Sequence, residues 1–249
     1  MSDRASTGHG QARRPQSPPY SSPTSVPYDA APCASPLPEG ALELWRFTAP
    51  SHSQGLVFPD GCRDLIVSLT VHAEPACFVT SLADQVETPE FMAGQQIVGV
   101  RLHAGAQFDE RALLDRLARH ERFDSGDLLS AIGAEVRLDP LVHEVLAWLA
   151  EAPRLDTARA SLGLSARSLE RLLMSRTGRT PVCWRNLARA RRCARALFGA
   201  GPLIAIAADH EYADQAHMTR DMHRWFDASP ARIRSDAKRF EALNHAGFG

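Results

Sequence analysis

The second half of the chain repeats itself, and this repeat constrains the fold more than any other feature. A shift of 49 positions superposes residues 155–185 on residues 204–234. Each unit reads as a short helix, a tight turn and a longer helix, followed by a Ser/Thr cap with Pro at the first position of a third helix. This order is the helix-turn-helix arrangement. The matched positions are Ser165 with Asp214, Leu169 with Met218, Arg171 with Arg220, and Thr180-Pro181 with Ser229-Pro230.

The repeat predicts an all-α domain over residues 136–249, with two helix-turn-helix units joined by a linker helix. We expect the first unit at about 155–178 and the second at about 202–227. The linker helix is expected at 181–199 and a terminal helix at 230–241.

The longer helix of the first unit has two different faces. Leu169, Leu172 and Leu173 cluster on one side at helical spacing, and the opposite side carries Arg167 and Arg171 with Glu170 at its edge. A helix with an apolar back and an arginine-rich front fits a major groove, where arginine can donate two hydrogen bonds to guanine.

The charge is distributed unevenly along the chain. Residues from 137 onward hold 18 Arg/Lys and 12 Asp/Glu, whereas the preceding residues hold 10 and 17. Ten arginines lie between Leu155 and Gly199. A basic segment attached to an acidic half is typical of a protein that binds a polyanion. We therefore expect phosphate contacts from the linker helix and the helix caps. The predicted residues are Ser165, Thr180, Arg185, Arg189, Arg192, Ser229 and Arg234.

The N-terminal half predicts a different architecture. Residues 1–40 hold eight of the seventeen prolines, which predicts a disordered tail. Residues 41–135 predict a small, mostly β domain, because runs such as Asp64–Val71 alternate apolar and polar positions. Short helices are expected at 109–118 and 124–132. The predicted fold class is therefore α+β.

Several protein classes are disfavoured by the sequence. No run of roughly eighteen apolar residues predicts a membrane span, and no apolar stretch near the N-terminus predicts a secretory signal. The five cysteines form no C-x-x-C motif, which is typical of a reduced, cytoplasmic protein. The sequence also shows no motif for a cofactor or a metal, so we expect neither.

The repeat resembles the DNA-binding region of the AraC family of bacterial transcription regulators. The resemblance is carried by residues 164–171 (LSARSLER), 178–181 (GRTP), 206–207 (IA), 212–220 (YADQAHMTR) and 229–230 (SP). It implies a cytoplasmic, sequence-specific regulator whose two recognition helices enter successive major grooves of double-stranded DNA. The base contacts that it implies come from Arg167, Glu170, Arg171, Gln215, Thr219 and Arg220.

Two residues depart from the family pattern. Glu211 precedes Tyr212 where the family usually has Gly, and Asp227 stands where Gly usually ends the helix. A left-handed backbone is strained in any residue with a Cβ, so we expect a looser second unit that contributes less to binding.

The N-terminal region resembles a small sensor domain on residues 59–66 (PDGCRDLI) and 98–102 (VGVRL). This suggests control by an unknown small-molecule effector, with RNA polymerase as a further partner. The candidate effector site consists of Asp60, Arg63, Asp64 and Arg101, although ion pairs that hold the turn against the sheet would explain the same charges. Whether the chain is a monomer or a dimer stays open.

Two other functions stay open beside a non-enzymatic regulator. One is a protein-interaction module whose basic helices hold an acidic partner. The other is a metal-dependent enzyme in the β domain. The candidate ligands for its metal are His52, His72, His103, Cys62 and Cys77, without any metal-binding motif.

Overall fold

A computed structural model describes most of the chain. The described residues are 29–30, 36–70, 73–119, 124–151 and 163–249. Most of the predicted N-terminal tail lies outside these ranges, as do His72 and the short helix expected before Gly163. The described chain has an antiparallel β-sheet region followed by a helical region, which confirms the predicted fold class.

The N-terminal region is built on a five-stranded antiparallel sheet. The strands of this region are β1 Asp29–Ala30, β2 Ala41–Thr48, β3 Ser53–Gln54, β4 Arg63–Leu69, β5 Ala76–Val79, β6 Glu90–Phe91 and β7 Gln96–Leu102. The strand order of the five-stranded sheet is β1-β2-β7-β4-β5, and β3 and β6 form a separate two-stranded ribbon.

One face of this sheet is covered by two helices, α1 Glu110–Leu117 and α2 Ser125–Glu135. The predicted alternation places Leu65 and Val67 on this face, where both are buried. Asp109 caps α1 and Asp124 caps α2 through side-chain bonds to the first-turn amides.

The opposite face of the sheet carries a buried charged pair. Asp64 and Arg101 are register partners on β4 and β7, and the indole of Trp45 donates to Asp64 Oδ1 at 3.0 Å. Gly99 leaves room for this indole, because a Cβ there would lie 2.2 Å from the ring. The polar face of β4 is therefore not a solvated face.

The helical region begins at Pro140. The expected linker helix is α5, which begins at Pro181 after its Thr180 cap and ends at Ala196, three residues earlier than predicted. The helices are α3 Pro140–Glu151, α4 Ala166–Thr177, α5 Pro181–Ala196, α6 Leu203–Asp209, α7 Gln215–Phe226, α8 Pro230–Ser235 and α9 Ala237–Asn244. No helix among the described residues is long and apolar enough to cross a membrane.

The predicted terminal helix 230–241 is two helices instead of one. The backbone at Asp236 is extended, with φ −108° and ψ 101°, and its carboxylate accepts from the amides of Lys238 and Arg239. Asp236 therefore ends α8 and caps α9, because its side chain satisfies amides that a continuous helix would have bonded to carbonyls.

The two regions are in extensive contact. Phe58, from the loop before β4, packs in the helical core with its ring 5.4 Å from that of Phe226 at the end of α7. After α9, residues 245–249 lie between the sheet and α5. There Phe248 donates its amide to the Asp60 carbonyl at 2.8 Å and packs its ring on Trp184.

Candidate nucleic-acid interface

Helix α4 presents its predicted face to solvent. The Ser165 hydroxyl accepts from the amide of Ser168 at 3.1 Å and begins the helix, and Gly178 ends it with a left-handed φ of 68°. Leu169 and Leu173 anchor the helix in the core. The three residues predicted to contact bases, Arg167, Glu170 and Arg171, are all exposed.

Helix α7 is built in the same way. The Asp214 carboxylate accepts from the amide of His217 at 2.6 Å, and Met218 and Met222 are fully buried behind the helix. Gln215 and Arg220 are exposed. Thr219 is half-buried and donates its hydroxyl to the Gln215 carbonyl at 2.8 Å. Its oxygen can therefore accept a bond from a base, but its proton is already used.

The two departures from the family pattern occupy left-handed backbone. Glu211 has φ 60° and Asp227 has φ 47°, and they are the non-glycine residues with positive φ in the described part of the chain. In the first unit the turn uses Gly163 at φ 63°, two residues before the cap; Glu211 precedes its cap by three. The expected left-handed backbone is confirmed at both residues, and the left-handed residue of the second unit lies one position further from its cap.

The predicted phosphate contacts divide into two groups. The hydroxyls of Ser165, Thr180 and Ser229 each accept an amide proton of the first helical turn, so they cap α4, α5 and α8. A helix N-terminus with exposed amides is a favourable place for a phosphate, and these three residues stay predicted contacts.

The linker-helix arginines mostly face protein. Arg189 is 7% exposed and pairs with Asp221 at 2.7 Å, so the expected phosphate contact from Arg189 is wrong. Arg192 is half-buried and donates to the Ala150 carbonyl. Arg234, from α8, donates to two carbonyls, those of Leu197 at 2.8 Å and Gly201 at 2.7 Å. These two side chains are thus engaged inside the protein, and Arg185 is half-buried.

Arg191 shows why this helix differs from a solvated basic helix. It is 1% exposed and donates to the carbonyls of Pro59 at 3.5 Å and His245 at 3.3 Å. Burial lowers its pKa to about 10, which leaves the guanidinium charged at pH 7. The arginine therefore joins the N-terminal region, the linker helix and the C-terminal residues through carbonyl acceptors.

The four candidate effector residues do not form one site. Asp60, Asp64 and Arg101 are packed together, with Arg101 3.1 Å from Asp64 and 3.3 Å from Asp60. The Arg101 guanidinium also donates to the Ala246 carbonyl at 2.8 Å. Burial raises the pKa of Asp60. These three groups hold the regions together and leave no opening for a ligand, as in the ion-pair alternative.

The Arg63 side chain lies in a different environment from those three groups. It donates to the Thr80 carbonyl at 2.7 Å, pairs with Glu110 at 2.5 Å and lies over the Phe108 ring. It lines a cavity of about 240 Å³ between the end of the sheet and the end of α4, together with His103 and Arg176.

The candidate metal ligands are not brought together in the described chain. Across the described ranges no three His, Cys, Asp or Glu side chains are placed to hold a metal ion. His103 instead stacks edge-on against His143, with ring centres 5.7 Å apart. Burial, and the second imidazole, lower the pKa of His103.

A comparison with known families matches the part of the chain that contains these helices. A family model described as a helix-turn-helix domain matches residues 159–236, which include α4, α5, α6 and α7. Residues 159–236 are therefore a DNA-binding domain of the AraC type, and the chain is a transcription regulator. The matched domain is a DNA-binding domain, and a transcription regulator of this kind is not an enzyme.

Three solved structures are similar to the regulator. The C-terminal domain of AraT, a response regulator from Geobacillus stearothermophilus, is 20% identical, covers 39% of this chain and 86% of its own, and has a TM-score of 0.36. An AraC-type transcriptional regulator from Chromobacterium violaceum is 23% identical, with coverages of 40% and 88% and a TM-score of 0.34. Wild-type ToxT from Vibrio cholerae, with unsaturated fatty acid bound, is 10% identical, with coverages of 80% and 96% and a TM-score of 0.39.

No curated protein matches the regulator. Because the TM-scores of the similar structures are low, the assignment rests on the match over residues 159–236.

Sequence reasoning missed Asp221, the partner of Arg189. The signal was present in the repeat, because the position that matches Asp221 in the first unit is Leu172, on the apolar back of α4. A carboxylate at a position with apolar register indicates a buried cation nearby, since an unpaired buried charge is costly.

Proposed function

We propose that α4 and α7 read base pairs in two successive major grooves, while the N-terminal β region controls binding in response to an effector. The observation that carries the first part is the matched construction of the two helices. Both have a side-chain N-cap and a buried apolar back, and the aligned residues Arg171 and Arg220 are both exposed.

Each predicted contact follows from the donors and acceptors that the side chain offers. Arg167, Arg171 and Arg220 can each donate two hydrogen bonds to O6 and N7 of guanine. Glu170 can accept from the amino group of cytosine, and Gln215 can bond both polar groups of adenine. Thr219 can accept from a base through its hydroxyl oxygen. One chain then reads two grooves of the same duplex without a palindromic site.

Selection of bound DNA from a random pool, followed by footprinting, tests this proposal. We expect a site with two conserved blocks about one helical turn apart, 10–10.5 base pairs from centre to centre. Binding that does not depend on DNA sequence would contradict groove reading. It would favour the alternative of an interaction module for acidic partners.

The cavity beside Arg63 is the proposed effector site. Its described lining includes two guanidinium groups, from Arg63 and Arg176, whose carboxylate partners Glu110 and Asp139 lie outside the lining. Leu102 and Phe108 supply apolar walls. A small anion with an apolar body suits this lining. Because the cavity borders both the sheet and α4, such a ligand would have different affinities for different arrangements of the two regions.

Thermal shift with benzoate as the probe tests the cavity. We expect benzoate to raise the unfolding temperature of the wild type but not of Arg63→Met, with neutral benzamide as the ligand control. Arg111→Met is the matched protein control, because the Arg111 side chain is 91% exposed on α1. An equal benzoate shift in Arg63→Met would contradict this location.

A further inference from the structure

The second recognition helix is attached to the linker helix by a buried ion pair. Asp221 follows Arg220 on α7, and its Oδ2 lies 2.7 Å from Nη2 of Arg189 on α5. The two side chains are only 9% and 14% exposed, so little water screens their attraction. This contact is therefore much less adaptable than a surface ion pair.

The same guanidinium also holds the turn that precedes α7. Its carbon lies 4.3 Å from the centre of the Tyr212 ring, a cation–π distance. The Tyr212 ring in turn packs edge-on against His217 in the first turn of α7. Burial and the nearby Asp221 carboxylate raise the pKa of Tyr212, which keeps its hydroxyl neutral. Arg189 thus contacts both the turn and the middle of the helix.

From these contacts we propose that Arg189 and Asp221 are positioning residues that set the rotation of α7 and thereby place Arg220 against its base pair. The inference rests on the proposed reading of the second groove by α7. Rotation matters because a turn of about 15° moves a group 6 Å from the helix axis by roughly 1.5 Å. A displacement of that size is enough to break a two-bond contact with a base.

The first unit provides the natural comparison. At the position of Asp221 it has Leu172, which packs against the helical core. Apolar packing stabilises a helix against its neighbour but has no direction of its own. An ion pair with a cation–π contact on its other side is directional. The second unit, with strained Glu211 before its cap, therefore has in this pair a directional contact beside the apolar packing of Met218 and Met222.

The experiment separates positioning from stability by using three variants of the full chain. Arg189→Met leaves Asp221 buried without its cation, and we expect the unfolding temperature to fall by roughly 10 °C. The double variant Arg189→Met/Asp221→Leu removes both charges and places at position 221 the residue type that the first unit has there. It should recover most of the loss in unfolding temperature. Arg189→Lys keeps the positive charge and should retain part of the base preference opposite Arg220.

The readout is the base preference within each groove, measured on the DNA site selected by the wild type. We expect the wild type to prefer its base pair opposite Arg220 by roughly 5- to 150-fold. In the double variant this preference should fall below about threefold, while the preference opposite Arg171 stays unchanged. The slope of log affinity against log salt should also stay unchanged, because Arg189 contacts no phosphate.

The control is Arg116→Met/Glu135→Gln, which removes a two-bond ion pair between α1 and α2 in the N-terminal region. It should leave both preferences unchanged. If the Arg189/Asp221 double variant keeps the wild-type base preference opposite Arg220, the pair only stabilises the fold. That result would overturn the inference. A salt slope smaller by about one would show a phosphate contact and overturn it as well. If the single variant Arg220→Ala has the same base preferences as the wild type, the proposed reading by α7 is wrong, and this inference fails with it.

Discussion

The two helix-turn-helix units share one frame but are held in different ways. The first uses glycine at both left-handed positions, Gly163 and Gly178, and packs α4 through leucines. The second has Glu211 and Asp227 in left-handed backbone and holds α7 through methionines and a buried ion pair. The second unit therefore keeps an apolar back and adds a directional contact, because a buried carboxylate stands where the first unit has Leu172.

The arginines of the linker helix are likewise held by interactions within the protein. A count of charges assigns its arginines to DNA, but Arg189, Arg191 and Arg192 bond to protein groups instead. By contrast, Arg167 and Arg171 on α4 and Arg220 on α7 are exposed. Four sets of substitutions distinguish the two units, in decreasing order of size.

Truncation of the buried backs should produce the largest effects. Leu173→Ala in α4 and Met222→Ala in α7 should each lower the free energy of unfolding by about 2–5 kcal/mol, because both side chains are fully buried. Denaturant unfolding measures this loss. Exposed Met174→Ala is the control, expected within about 0.5 kcal/mol of the wild type. A loss for Met222→Ala as small as that of the control would mean that α7 is not packed as described.

Removal of the aligned arginines should weaken DNA binding unequally. Arg171→Ala should cost roughly 1–3 kcal/mol on the selected site and relax specificity at one base pair. Arg220→Ala should cost less, because the second unit brings little net positive charge and a strained turn. Fluorescence anisotropy with point-substituted sites measures both. Equal losses for the two variants would remove the proposed difference between the units, and Arg111→Ala controls for general loss of charge.

Removal of the helix caps should have similar effects in the two units. Ser165→Ala and Asp214→Ala each leave first-turn amides without their side-chain acceptor, so each should cost about 1 kcal/mol of stability. Thermal unfolding at neutral pH is the measurement. Glycine at either position should cost only a few tenths of a kcal/mol, since glycine is itself a tolerated cap. An alanine cost below that of glycine would show that the side-chain cap contributes nothing.

Relief of the strained backbone should give the smallest effects, with the opposite sign. Glu211→Gly should stabilise the protein by about 0.5–1 kcal/mol, and Asp227→Gly by less, because aspartate tolerates left-handed backbone better than glutamate. Gly178→Ala in the first unit should destabilise by a similar amount. Differential scanning calorimetry can compare the three. Destabilisation by Glu211→Gly would indicate that the Glu211 side chain makes a stabilising interaction that exceeds the strain.

Local features of the helical region could be predicted from the sequence. Ser165, Asp214 and Thr180 cap their helices because a short polar side chain satisfies amides only one turn away. The resemblance to the AraC family predicted a left-handed backbone at Glu211 and Asp227, where the family usually has glycine. The exposed front of α4 followed from helical spacing, since the apolar back is a continuous stripe along the same twelve residues.

The fate of the charged residues could not be predicted in this way. Spacing gives the direction of a side chain around its own helix but not what packs there. Arg101 was expected beside a ligand, yet the carbonyl of Ala246, 145 positions away, occupies its guanidinium. Arg191 bonds to Pro59 and His245, which no local pattern connects to it.

The repeat, the caps, the turns and the two exposed recognition surfaces are thus encoded locally, because they depend on interactions within a few residues. Which arginines are available to DNA depends instead on how the chain packs. That outcome depends on distant carbonyls and carboxylates that meet around α5, and a buried guanidinium is stable only where such acceptors surround it.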